Sequence, residues 1–169
     1  MKRTVLAVAM IMLLAAAGAY AANPATASFD VTANVAKNCT IMATPISFGS
    51  YDPVSANATS PLDATGTLTL SCTKGVIYSI ALDGGLNGAK VTGVTRAMLG
   101  TSSGDYLGYE LYQDNVHTIV WGNAAGTYPT GTSASKAGKD FIVYGRIPGG
   151  QDVGVDTSYK DTINVTVNY

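Results

Sequence analysis

The feature that most constrains this chain is its recurring period of two. Apolar residues return at every second position in segment after segment, and no long stretch shows helical spacing. A β-strand turns successive side chains to opposite faces, so this period describes strands with one buried side and one wet side. Residues 27–36 are the clearest case. Phe29, Val31, Ala33 and Val35 fall on one face, and Ser28, Asp30, Thr32 and Asn34 on the other. In residues 65–73 the face is Leu68, Leu70 and Cys72. The alternation returns at 162–169, where Ile163, Val165, Val167 and Tyr169 share a side predicted to face inward.

Between these segments the strands are short and the breaks are frequent. Cys39 to Phe48 reads as two short strands parted by Pro45, which suits an edge or a kink. Residues 50–63 are turn-rich. Val76 to Leu82 is a strand that Asp83-Gly84-Gly85 ends. Tyr106 to Tyr112 is an aromatic-rich strand, and Asp114-Asn115 turns it into 118–121. Residues 122–138 read as a loop, and Phe141 to Ile147 as another strand before Gly149-Gly150. Many short strands at this spacing predict an all-β fold, an antiparallel sandwich or barrel. The alternation runs on to Tyr169 and leaves no residue for a further strand, so an unpaired edge is expected there.

The first residues carry an address. Lys2 and Arg3 precede an apolar run from Val5 to Ala17, and Ala19-Tyr20-Ala21 fits a small-x-small cleavage site. This is the pattern of a secretory signal peptide over residues 1–21. Its removal takes two basic residues and no acid. That leaves eight basic against 11 acidic residues, a balance of −3 that argues against a nucleic-acid partner. Cys39 and Cys72 then form an even pair in an exported chain, which reads as a disulfide joining neighbouring strands.

Catalytic and metal chemistry find little footing. The chain has one histidine, His117, and no Cys-x-x-Cys motif. His117 stands near a hairpin turn without a patterned nucleophile, as a solvated turn residue would. Asp83, Asp105 and Asp114 lie beside Gly or Asn and read as turn carboxylates. Trp121 and the tyrosines read as core packing rather than a sugar-stacking platform. The Gly-rich turns do not follow a strand and open a helix, as a phosphate cradle requires. No enzyme activity, catalytic residue, metal site, cofactor or small-molecule substrate is expected.

Several stretches together carry a resemblance. They are Asn38-Cys39-Thr40, Leu70-Ser71-Cys72, Leu107 to Asp114, Trp121-Gly122, Tyr144 to Pro148, and Tyr159 to Tyr169 with its Tyr-Lys-Asp-Thr start. The chain resembles the spore coat protein U domain family, shared by subunits of archaic chaperone–usher pili. The resemblance implies an incomplete immunoglobulin-like antiparallel sandwich whose missing strand is donated by another subunit. It further implies a surface pilus or fimbria as the product, with neighbouring subunits, a periplasmic chaperone and an outer-membrane usher as partners. The route would run through the periplasm to the cell surface. Residues 22–37 are then the donor segment, with Phe29, Val31, Ala33 and Val35 as its docking face, and 38–169 the sandwich. Ile163, Val165, Val167 and Tyr169 would border the acceptor groove. The alternatives are a spore or cell-surface coat protein and a secreted carbohydrate-binding module.

Overall fold

The structure is a computed structural model that describes residues 24–169. The signal peptide read over 1–21 lies outside the described residues. These fall into two units, 24–34 and 35–169, each taken here by itself.

In the first unit the residues are exposed and none belongs to a strand. The alternation over 27–36 therefore does not make a strand within this chain. Alternation sets which side chains share a face, but a strand also needs a partner for its backbone groups.

The second unit is all-β among the described residues. Its strands are β1 (Cys39–Ala43), β2 (Leu62–Cys72), β3 (Ile77–Leu82), β4 (Arg96–Gly100), β5 (Tyr106–Tyr112), β6 (Thr130–Thr132), β7 (Lys139–Ile147), β8 (Tyr159–Lys160) and β9 (Val165–Asn168). Every pairing is antiparallel. A six-stranded sheet runs β1-β2-β7-β5-β4-β8, and a three-stranded sheet runs β6-β3-β9.

The core lies between the two sheets. Leu68 and Leu70 of β2, Leu107 and Leu111 of β5 and Val143 of β7 meet Tyr78, Ile80 and Leu82 of β3. Removing these apolar side chains from water is the main stabilising force, at about 25 cal/mol per Å². Trp121 fills the centre at 1% exposure, and its indole N–H donates to the Ile80 carbonyl at 2.7 Å. It is a packing residue, as its sequence context implied. Cys39 and Cys72 sit directly opposite each other in the β1–β2 register and are joined by a disulfide.

A charged pair also lies inside. Arg96 and Glu110 are ion-paired, with side chains 1% and 5% exposed. Buried charges persist only when fully partnered. The guanidinium donates to the carbonyls of Asp83 at 3.0 Å and Trp121 at 2.7 Å, and Glu110 accepts from Thr95 N–H at 2.9 Å and Leu111 N–H at 3.0 Å. One salt bridge thus fastens the end of β3, the start of β4, β5 and the Trp121 loop.

Further sequence expectations need correction. Cys39 to Phe48 gives one strand, β1, and not two, because from Pro45 on the chain runs outside any ladder. Residues 118–121 give a single bridge, Tyr112 to Val120, rather than a strand. The loop read over 122–138 contains β6. His117 is not solvated: its side chain is 7% exposed and packs edge-on to Tyr112 and Tyr144. Its backbone does occupy the left-handed region, with φ of 59°, as a tight turn can require. The turn bends the ring back over the outer face of the large sheet, which hides it from water.

Candidate functional site

The site grows from two strand edges. Among the described residues, β1 pairs only with β2, and β9 pairs only with β3. After β1, Pro45 cannot donate to a ladder, and the chain leaves the sheet. Ile46 and Phe48 nevertheless turn inward and pack on the core. Phe48 comes so close to β7 that a side chain at Gly145 would meet its ring at 2.7 Å, so that position requires glycine.

Opposite this segment runs the stretch from Asp161 to Val165. Between the two lies an apolar groove of about 360 Å³. Ala43, Pro45, Ile46 and Phe48 line it from one segment, and Thr162, Ile163 and Val165 from the other. Leu68, Tyr109, Leu111 and Val143 of the core also reach it, together with Met98. The sandwich is therefore open along one seam, where both bordering backbones lack a ladder partner on the side that faces the seam, among the described residues.

Ile163, Val165 and Val167 are half-buried and pack against the core, while the intervening Thr162, Asn164, Thr166 and Asn168 are exposed. Ile163 and Val165 also line the groove. Tyr169 departs from the expected inward face and is 55% exposed. The reason is register: the last ladder pair is Ser79 with Asn168, so Tyr169 lies one residue beyond the strand.

The lip at 161–164 is not itself a strand, and polar groups hold it. Asp161 accepts from the Leu86 N–H at 2.9 Å, from Asn87 Nδ2 at 3.4 Å and from the Tyr109 hydroxyl at 2.8 Å. Asp83 accepts from the Asn164 N–H at 3.0 Å and Asn164 Nδ2 at 2.7 Å, and also from the Gly85 N–H at 3.0 Å. Burial, followed by the bond to Asp161, pushes the Tyr109 phenol far above its ordinary value of 10.0, so it remains a donor. Burial works against ionised Asp83, but the hydrogen bonds from Asn164 and Gly85 outweigh it and hold this carboxyl below 3.8. Asp83 was read as a turn carboxylate, and it does cap its own turn. Its reach to Asn164, 81 residues on, has no signal in the sequence. In the sequence Asp161 stands out only as part of the terminal Tyr-Lys-Asp-Thr motif.

Among the described residues no group of three or more His, Cys, Asp or Glu side chains could hold a metal ion. Asp114 binds local backbone, accepting from the Ile119 N–H at 2.7 Å, whereas Asp105, expected to serve its own turn, accepts from the Gly154 N–H at 2.7 Å, 49 residues on.

In the alternating stretch 27–36, Phe29 and Val31 are each 86% exposed and Val35 is 78% exposed, with Ala33 exposed too. Three large apolar side chains in one alternating row, left in water, are unusual for a soluble chain.

An antiparallel immunoglobulin-like sandwich with one seam open defines the class of protein. Within it, the Spore Coat Protein U domain family matches residues 25–166, and the chain belongs to that family. Protein U of Myxococcus xanthus is 35% identical over 186 aligned positions, which cover 99% of this chain and 98% of that protein. Among solved structures, the fold matches a chain of the CsuC–CsuE chaperone–tip adhesion subunit pre-assembly complex, from archaic chaperone–usher Csu pili of Acinetobacter baumannii. The TM-score is 0.57 at 19% identity, and the match covers 80% of this chain and 40% of that one.

Proposed function

We propose that this chain is an exported structural subunit that polymerises by donating residues 22–37 to the groove of a neighbouring subunit, forming a surface pilus. The observation that carries this reading is the pairing of two unfinished parts. One is an apolar seam flanked by unpaired edges, and the other an exposed segment with an alternating apolar face. Strand addition satisfies both at once, because main-chain bonds supply affinity and alternate side chains fill the seam. Burying Phe29, Val31 and Val35 contributes about 1.5–3 kcal/mol each. Each ladder bond adds about 0.5–1.5 kcal/mol.

In this reading residues 1–21 direct export, 22–37 are the donor segment and 38–169 the acceptor sandwich. An empty seam is an aggregation hazard, so a periplasmic chaperone would cover it until an outer-membrane usher brings in the next donor. The likeness to a chain from a chaperone–subunit complex supports this route, and membership of the family supports surface display. The role is structural and needs no catalytic group. Similarity to Protein U over 98% of its length favours a second product, a coat built by the same strand exchange. A chaperone and an usher encoded beside this chain would favour the pilus.

The test uses the two faces of the donor. Val31→Asp would have to bury an unpaired charge, whereas Thr32→Asp keeps its charge in water. Val31→Asp is expected to abolish heat- and detergent-resistant oligomer ladders, and Thr32→Asp to leave them nearly normal. Deleting 22–36 should give a subunit that accepts a strand but gives none. Long fibres from the deletion variant alone would overturn the reading.

A further inference from the structure

The seam can take up a strand only if its lip stands at the right height, yet that lip is not part of any ladder. Residues 161–164 lie between β8 and β9, and their fixed points are two carboxylates, Asp161 and Asp83, and one backbone bond from the Asp83 N–H to the Asn164 carbonyl at 3.2 Å. Asp161 turns inward and ties three elements together. Its oxygens accept from Tyr109 of β5, from the Leu86 N–H in the β3–β4 connection, and from its neighbour Thr162 N–H at 2.9 Å. Gly85 has a φ of 75°, and a side chain there would run into the Asp161 carboxylate. The turn is thus shaped around that carboxylate. Asp161 and Tyr109 also both line the groove.

We propose that Asp161 is the positioning residue of the acceptor seam, holding the lip through Tyr109 and the Leu86 turn so that an arriving strand meets β9 in register. The inference rests on the donor-strand reading. Before a strand arrives, Ile163 packs half-buried on the core, and the Tyr109–Asp161 bond is the hydrogen bond that ties the lip to the core strand β5. Once a strand is in place, its own ladder holds the lip, and the latch becomes redundant. The latch therefore governs entry and not release.

The experiment uses the full chain carrying Val31→Asp, so that its own donor is disabled and its seam is intact. A fluorescent peptide of residues 24–37 is the probe, and its association and dissociation rates are read separately. Tyr109→Phe removes one oxygen and keeps the ring in the core. Asp161→Asn keeps the shape but presents an amide where the phenol must donate. Each is expected to slow association about tenfold, the factor a hydrogen bond to a charged group commonly carries. Dissociation should stay unchanged, and the double variant should be no slower than the worse single one, because both remove the same contact. Wild-type association in Tyr109→Phe would overturn the proposal even if Asp161→Asn failed to fold. Equal changes in association and dissociation would overturn it as well. If the peptide did not bind with Tyr109 and Asp161 both intact, the donor-strand reading itself would fall.

Discussion

At Asp156 a single carboxylate organises one end of the molecule. It accepts from the N–H groups of Ser102 at 2.7 Å, Ser103 at 2.9 Å and Ser158 at 2.9 Å. Those bonds, Ser103's first, hold its carboxyl far below the ordinary 3.8. A carboxyl depressed by folding stabilises the fold at any pH above its unfolded value, and the benefit drains away as pH falls through the lower folded value. Asp63 behaves likewise, its carboxyl depressed chiefly by the bidentate bond from Arg146. The subunit is thus expected to hold a constant melting temperature at neutral pH and to lose stability below about 3.8. Asp156→Asn should melt lower than the parent at pH 7, and the gap should close in acid. A gap that persisted unchanged at pH 2 would contradict this account. Neither carboxylate stands out in the sequence. Asp156 meets Ser103 across 53 residues, and no local pattern encodes that distance. Arg96 was equally hidden, a lone charge before the apolar Ala97-Met98-Leu99, with its partner Glu110 inside a tyrosine-rich strand.

Among the elements, legibility followed length. β2, β3, β5 and β7 each present several alternating positions, and their period betrays them. β6 has three residues and β8 has two, too few for any period. The open seam was legible in outline because β9 alternates strongly and the family resemblance supplies what it lacks. The lip was not, since hydrogen bonds distant in sequence hold it. Residues 27–36 teach the complementary lesson: a good strand pattern names a face and not a partner. The seam makes a testable claim about β9 as an element. In the empty subunit its outer edge is open to water, while β3 is paired on both sides by β6 and β9 along parts of its length. When the donor peptide of residues 24–37 fills the seam, amides on the open edge of β9 should gain protection from hydrogen exchange. Amides of β3 should change little. Equal gains in both strands would mean general tightening rather than strand addition.

Across the whole molecule, the disulfide lies where the proposed donor segment enters the sandwich. Thr73 N–H donates to the Asn38 carbonyl at 2.9 Å, and Thr73 Oγ1 to the Ala36 carbonyl at 3.1 Å, just before Cys39. Closing a loop of this length stabilises the fold by about 3–4 kcal/mol in the chain-entropy model, so Cys39→Ser with Cys72→Ser should melt lower by a corresponding amount. The same bond has a mechanical side. In a fibre held together by donated strands, tension would arrive through residues 36–38 and bear first on β1, which is paired on one side only. An edge strand pulled from its end peels one bond at a time. The sulfur bridge instead hands the load to β2, flanked by β1 and β7, and keeps the stretch between the cysteines, a sequence separation of 33, slack under any pull. At about 3.4 Å per residue, that shields roughly 110 Å of contour in every subunit. Fibres stretched in an optical trap should therefore lengthen by that increment per subunit only after reduction, so that one covalent bond sets how far the polymer can give before it tears.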